Sequence, residues 1–124
     1  MSVDYGVSIV YGYQLDQKKF QEFVEKMKKE NPEFDVYEWK EDLYEQSNCE
    51  IVYENHYVDI TDWRNTVYFG IPFYNKITVA NLQELARDRL PEIQDEFIRI
   101  FGSFDLLAAG QDIEPEIRAI GVVD

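Results

Sequence analysis

A segment in the first half of the chain is so negatively charged that it is constrained to a surface, as a solvated face or as a docking surface. Between Glu33 and Asp62 there are ten carboxylates and a single cation, Lys40. This segment therefore has a net charge of −9, out of −13 for all 124 residues. Aromatic residues lie between the carboxylates, and Tyr and Trp are the side chains that most often anchor interfaces.

Composition predicts one α+β domain over residues 1–124. Hydrophobic residues make up 45% of the chain and aromatic residues 15%, which is enough to fill a core and argues against disorder. A pI near 4.4 argues against direct binding to nucleic acid or to an anionic membrane, and it favours a basic partner. The first residues do not form a secretory signal and no apolar run is long enough to span a membrane, so we expect a cytoplasmic protein.

The pattern of apolar residues predicts alternating strands and helices. Strands are expected over residues 5–13, 49–58, 66–74 and 117–123, which are rich in β-branched and aromatic residues or alternate in polarity. Gly6 and Gly12 in the first strand indicate a bulge or a close approach of another backbone. A helix follows from Asp16, its N-cap, to Asn31. Its apolar stripe has helical spacing and consists of Phe20, Phe23, Val24 and Met27.

Three features in the second half of the chain refine these predictions. Pro72 restricts the end of its strand to an edge or bulge position. A helix capped by Thr78 should contain a kink or a break near Leu90, because Pro91 cannot donate an intrahelical hydrogen bond. Gly102 can end that helix, and residues 103–115 are expected to be irregular.

The predicted order is β-α-(acidic α)-β-β-α-β. Without the acidic helix, this is the split βαβ order of ferredoxin-like folds, an antiparallel sheet with helices on one face. The acidic helix, expected over residues 36–46, would be an addition between the first helix and the second strand.

The acidic helix has two faces. Val36, Trp39 and Leu43 share one helical face, and we call the other, made of Glu38, Glu41, Asp42 and Glu45, the acidic face. Its like-charged pairs at i, i+4 each cost about 0.2–0.5 kcal/mol, so folding alone does not favour this arrangement. The predicted partner-binding residues are Glu38, Glu41, Asp42, Glu45, Tyr37, Tyr44, Glu50 and Glu54.

A basic partner would explain the acidic face, because aligned carboxylates steer encounter and raise the association rate. In size, charge and aromatic content the chain resembles immunity proteins, antitoxins and phage-encoded inhibitors of restriction or CRISPR nucleases, although it has no family motif from which residues could be transferred. The resemblance implies a non-enzymatic inhibitor of a nuclease or another nucleic-acid-binding protein, acting through nucleic-acid mimicry. The competing interpretation is a solvated face without a partner.

Two other classes of function remain open. The aromatic strands could line a ligand pocket or an interface of a homodimer. An enzyme would have to use scattered carboxylates or His56, the only histidine; His56, Asp59 and Asp62 have a spacing that could hold a metal, but a polar loop is the simpler interpretation. Cys49 is the only cysteine and is expected to be buried, with His56 at the surface. No cofactor or metal is predicted.

Overall fold

The computed structural model describes residues 5–47, 49–73 and 79–123. These residues form β1 (Tyr5–Gln14), α1 (Gln17–Glu30), α2 (Val36–Ser47), β2 (Glu50–Tyr53), β3 (Val67–Phe73), α3 (Val79–Phe101), a 3₁₀ turn (Phe104–Leu106) and β4 (Glu116–Val123). The α+β class is confirmed, and these elements follow one another in the predicted order. The predicted cap at Thr78 and the predicted strand residue Tyr74 lie outside the described residues.

The two helices before β2 begin and end where local signals predict. In α1, the side chain of Asp16 accepts a hydrogen bond from the backbone N–H of Lys19 at 3.0 Å, and the backbone N–H of Asn31 donates to the carbonyl of Met27. The helix buries Phe20 and Val24. The acidic helix is α2, and it extends one residue beyond the predicted range.

Helix α3 is continuous through Pro91, so of the two predicted alternatives the break near Leu90 is wrong, whereas the kink stays a prediction. Proline inside a helix costs about 3 kcal/mol, because a hydrogen bond is lost and the ring crowds the preceding turn. After Pro91 the helix buries Ile93, Phe97 and Phe101. Each such side chain contributes about 1.5–3 kcal/mol on burial, which outweighs the cost of the proline. Gly102, at φ 82°, ends the helix as predicted.

The four described strands form one antiparallel sheet in the order β2-β3-β1-β4. Pro72 lies in β3, opposite Val10 of β1 and beyond the described pairing with β2, which ends at Gly70. Its missing N–H therefore interrupts no described β2–β3 pair. Strand β2 is shorter than predicted, because the chain leaves the regular pairing after Tyr53.

The segment after β2 contacts β4, which is the strand at the opposite edge of the sheet. The backbone N–H of Val123 donates to the carbonyl of Glu54 at 2.7 Å, and the N–H of His56 donates to the carbonyl of Val123 at 2.9 Å. These bonds connect the segment after β2 to β4, so the sheet curls until its two edges meet at this end.

The sheet separates two apolar clusters. One contains the buried residues of all three helices together with alternate strand residues such as Tyr13, Ile51 and Phe69. The other contains Val10, Tyr68 and Ile120 and includes no described helix residue. Because the sheet curls, this second cluster is buried even though none of its members is among the described helix residues.

Gly12 and Gly70 face each other across β1 and β3. A Cβ atom on Gly12 would lie 2.6 Å from the Cα atom of Gly70, and the reverse distance is 2.7 Å. The predicted close backbone approach is therefore confirmed at Gly12. It is wrong at Gly6, where a Cβ atom would meet nothing within 4 Å.

We expect Gly12→Ala to lower the free energy of unfolding by about 1–3 kcal/mol, because the new methyl group would press on backbone atoms that cannot move aside. Gly6→Ala is the matched control and should change stability by less than about 0.5 kcal/mol. Urea unfolding followed by circular dichroism measures both variants. Equal urea midpoints for Gly12→Ala and Gly6→Ala would contradict the close contact at Gly12.

Candidate protein-binding surface

The apolar side of α2 determines how this helix is rotated about its own axis. Val36 and Leu43 are buried, and Trp39 is half-buried. The ring of Trp39 lies 5.7 Å from the ring of Phe23 in α1 and 6.4 Å from that of Phe101 in α3. These contacts attach α2 to both other helices and turn its opposite side to solvent.

All four residues of the acidic face are exposed: Glu38, Glu41, Asp42 and Glu45. Among the described residues, their side chains make no hydrogen bond and no ion pair within the chain. In this part of the chain, therefore, no ion pair offsets the repulsion within the like-charged pairs at i, i+4. The predicted segregation of charge onto one side of α2 is confirmed.

The acidic face continues into a groove between α2 and β2. Lys40, Glu41, Tyr44, Glu45 and Glu50 line a volume of about 360 Å³. Tyr44 is 43% exposed, and Glu50 begins β2. The structure thus brings four of the predicted partner-binding residues together with Lys40, the only cation of the acidic segment.

Two predicted partner-binding residues, Tyr37 and Glu54, belong neither to the acidic face nor to this groove, and both have contacts within the protein. The hydroxyl of Tyr37 accepts a hydrogen bond from the backbone N–H of Ile60 at 3.2 Å, and burial raises the pKa of this tyrosine. Glu54 accepts a hydrogen bond of 2.6 Å from the hydroxyl of Tyr68, whose pKa is raised by burial and by this carboxylate. Tyr37 therefore stabilises the loop that contains Ile60, and Glu54 stabilises the second apolar cluster through Tyr68.

The residues considered for catalysis or metal binding lie in different surroundings. Cys49 is fully buried and His56 is exposed against the ring of Tyr53, as predicted. Asp59 accepts hydrogen bonds from Thr61, which lower its pKa.

Asp62 pairs with Arg64 at 2.9 Å. Hydrogen bonds from that arginine lower the pKa of Asp62. Within residues 5–47, 49–73 and 79–123, no three His, Cys, Asp or Glu side chains are grouped closely enough to hold a metal.

Two surface features escaped the sequence analysis. Trp63 is 79% exposed in the loop between β2 and β3. A groove also opens where α1, α2 and α3 meet, with Trp39 and Asp42 among its lining residues. A single tryptophan in a polar loop gives no periodic signal, and the groove depends on which helices pack together.

No protein-family model, curated protein or solved structure matches the chain. In the described residues, none of the helices is both long and apolar enough to cross a membrane.

We expect Glu45→Lys to raise the free energy of unfolding by about 0.5–1 kcal/mol at low salt. The change converts repulsion from Glu41 into an i, i+4 attraction and places a cation in the last turn of α2, where there is no basic residue. Urea unfolding measures the gain, which should shrink in molar salt because the Debye length falls to about 3 Å.

Glu25→Lys is the matched control for this prediction. Glu25 is also exposed, but it precedes Lys29 by four residues in α1, so the same change of charge removes a favourable pair. This control should lose stability. A gain of equal size in both variants would show that net charge, and not the acidic face, determines the effect.

Proposed function

We propose that the protein is a non-enzymatic, cytoplasmic acidic binding protein that inhibits or neutralises a basic partner acting on nucleic acid. The observation that carries this proposal is the acidic face: four exposed carboxylates on one side of a helix whose other side is packed against the core. A surface that only confers solubility tends to mix charges of both signs. This face contains one sign only.

The spacing of the carboxylates supports mimicry of nucleic acid. Glu38 and Glu45 are seven residues apart, which is about 10.5 Å along a helix that rises 1.5 Å per residue. Four carboxylates over that distance place one charge about every 3.5 Å. One strand of duplex DNA places one charge about every 3.4 Å along its axis. A cleft lined with Lys and Arg would meet a similar linear charge density on either molecule.

The partner class follows from this charge. A nuclease or another nucleic-acid-binding protein has a basic cleft that the acidic face could occupy, and direct binding of nucleic acid by this chain is disfavoured by repulsion. Immunity proteins, antitoxins and phage-encoded inhibitors of restriction or CRISPR nucleases are the functional types that fit such a role. Inhibition would proceed by occupancy alone, without chemistry, cofactor or metal.

We also propose that the scaffold is ferredoxin-like. Read from the other edge, the strand order is β4-β1-β3-β2, and every described pair of neighbouring strands is antiparallel. This order supports a split βαβ scaffold with α2 added before β2. The contact between the segment after β2 and Val123 is an additional feature of this chain.

The test is affinity capture with the wild-type chain and with the double variant Glu41→Lys/Glu45→Lys. The wild-type chain should retain a basic nucleic-acid-binding protein at low salt, release it at high salt and release it to competing duplex DNA. The double variant should bind about tenfold more weakly or worse, because each lost charge pair contributes up to about 1 kcal/mol.

Glu22→Lys/Glu25→Lys is the matched control, since both residues are exposed on α1 and the net charge changes equally. It should retain most of the binding. Capture that survives in the α2 variant, or that is insensitive to salt, would contradict the proposal.

A second candidate function is binding of a small ligand, with or without homodimer formation. A cleft of about 150 Å³ lies at the mouth of the curled sheet; its lining includes Ser8, Val52, Pro72 and Val122, with Lys40 and His56. Apolar walls with a few polar groups are typical of ligand sites, and a volume below their usual range of about 300–1,000 Å³ restricts this cleft to a ligand of few atoms.

Thermal-shift screening and sedimentation separate this candidate from the first. A stabilising small molecule whose effect is lost in Val52→Lys, or a stable dimer, would favour it. Neither is expected if the acidic face alone carries the function.

A further inference from the structure

We propose that the groove where α1, α2 and α3 meet is an anchor site for the apolar side of a basic amphipathic segment of the partner. This inference rests on the proposed function, because the same partner would contact the acidic face. It assigns a second, apolar part to that interface, and we call this part the helix groove. Its lining residues are Phe23, Met27, Trp39, Asp42, Leu43, Gln46, Arg99 and Ile100.

The floor of the helix groove is apolar and firmly held. Phe23 and Trp39 contact each other, and both rings contact Phe101 beneath them, at 5.0 Å and 6.4 Å. Leu43 is buried, whereas Met27 and Ile100 are only half-buried. The groove therefore offers accessible apolar surface above a packed aromatic cluster. Met27 adds a flexible, polarisable side chain of the kind that adapts to different partners.

The charges on the rim of the helix groove determine which kind of segment can bind there. Asp42 belongs both to the acidic face and to this rim, so the two surfaces are continuous along α2. The one cation on the rim, Arg99, is paired with Glu96 at 2.6 Å and so contributes little uncompensated positive charge. The charge of Asp42 on the rim therefore favours a segment that carries Lys or Arg beside its apolar residues.

The size of the groove favours side chains over a separate ligand. Its volume is about 320 Å³, at the lower end of the range of about 300–1,000 Å³ for small-molecule sites. A second copy of this chain is a poor occupant, because each copy carries a net charge of −13. A basic segment with one apolar side satisfies both the floor and the rim.

The two parts of the interface would contribute differently to binding. Exposed carboxylates mainly raise the association rate, whereas buried apolar and aromatic contacts at the centre of an interface slow dissociation. The acidic face would thus steer the partner, and the helix groove would hold it. Salt would weaken the first contribution more than the second.

The experiment uses Trp39 as the reporter, because it lines the groove. Trp63→Phe leaves Trp39 as the only tryptophan of the chain. The probe is a short helical peptide of leucine and lysine with all leucines on one side. Two control peptides are a scrambled peptide of the same composition, with no apolar side, and an all-lysine peptide of the same charge.

The amphipathic peptide should shift the emission of Trp39 and bind about tenfold more tightly than the scrambled peptide, since one or two apolar side chains become buried. In the same background, Met27→Gln/Ile100→Gln should remove most of that difference. Ile98→Gln is the matched control: Ile98 is 39% exposed on α3 but does not line the groove. It should bind as the parent does.

The outcomes distinguish the two proposals. If the all-lysine peptide fails to bind at low salt, the proposed function is contradicted together with the anchor site. If the all-lysine peptide binds but the amphipathic peptide binds no more tightly than the scrambled one, the groove is not an anchor and the acidic face alone remains. The peptide comparison on the parent chain needs no groove variant, so it still decides if Met27→Gln/Ile100→Gln fails to fold. If the unliganded chain sedimented as a dimer in which Trp39 is protected from solvent, that result would also overturn the anchor site.

Discussion

The packing of Trp39 against Phe23 and Phe101 is the contact on which the orientation of the acidic face depends. One indole joins α2 to α1 and to the end of α3, and it fixes which side of α2 faces solvent. If α2 were rotated by about 100°, the shift of one residue in a helix of 3.6 residues per turn, carboxylates would turn toward the core. The aromatic cluster and the acidic face are therefore two consequences of one orientation.

Magnitudes show why the chain can maintain so much like charge on a short helix. The two i, i+4 pairs, Glu38 with Asp42 and Glu41 with Glu45, together cost about 0.4–1 kcal/mol. Burial of Val36 and Leu43 contributes about 1.5–3 kcal/mol each. Packing outweighs repulsion, so the acidic face removes only part of the stability that the buried side of α2 contributes.

Local signals sufficed for the elements whose ends depend on neighbouring residues. Asp16 and Asn31 bound α1 through hydrogen bonds that span three or four residues, and Gly102 ends α3 through its own backbone conformation. Local signals failed where contacts with a distant segment determine where an element ends. Strand β2 ends at Tyr53 because the following residues bond to Val123, and α3 passes through Pro91 because its second half is held in the core.

The sequence by itself determined the charge of the acidic segment, the faces of α2 and the order of the elements, because each arises from the spacing of nearby residues. Only the tertiary structure decided that Glu41, Tyr44, Glu45 and Glu50 share one groove, and that Glu54 binds Tyr68. It also created the helix groove, whose lining combines the consecutive helices α1 and α2 with the end of α3, which lies far from them along the chain. The physical reason is that side-chain periodicity is local, whereas a concave surface exists only after separate elements have packed together.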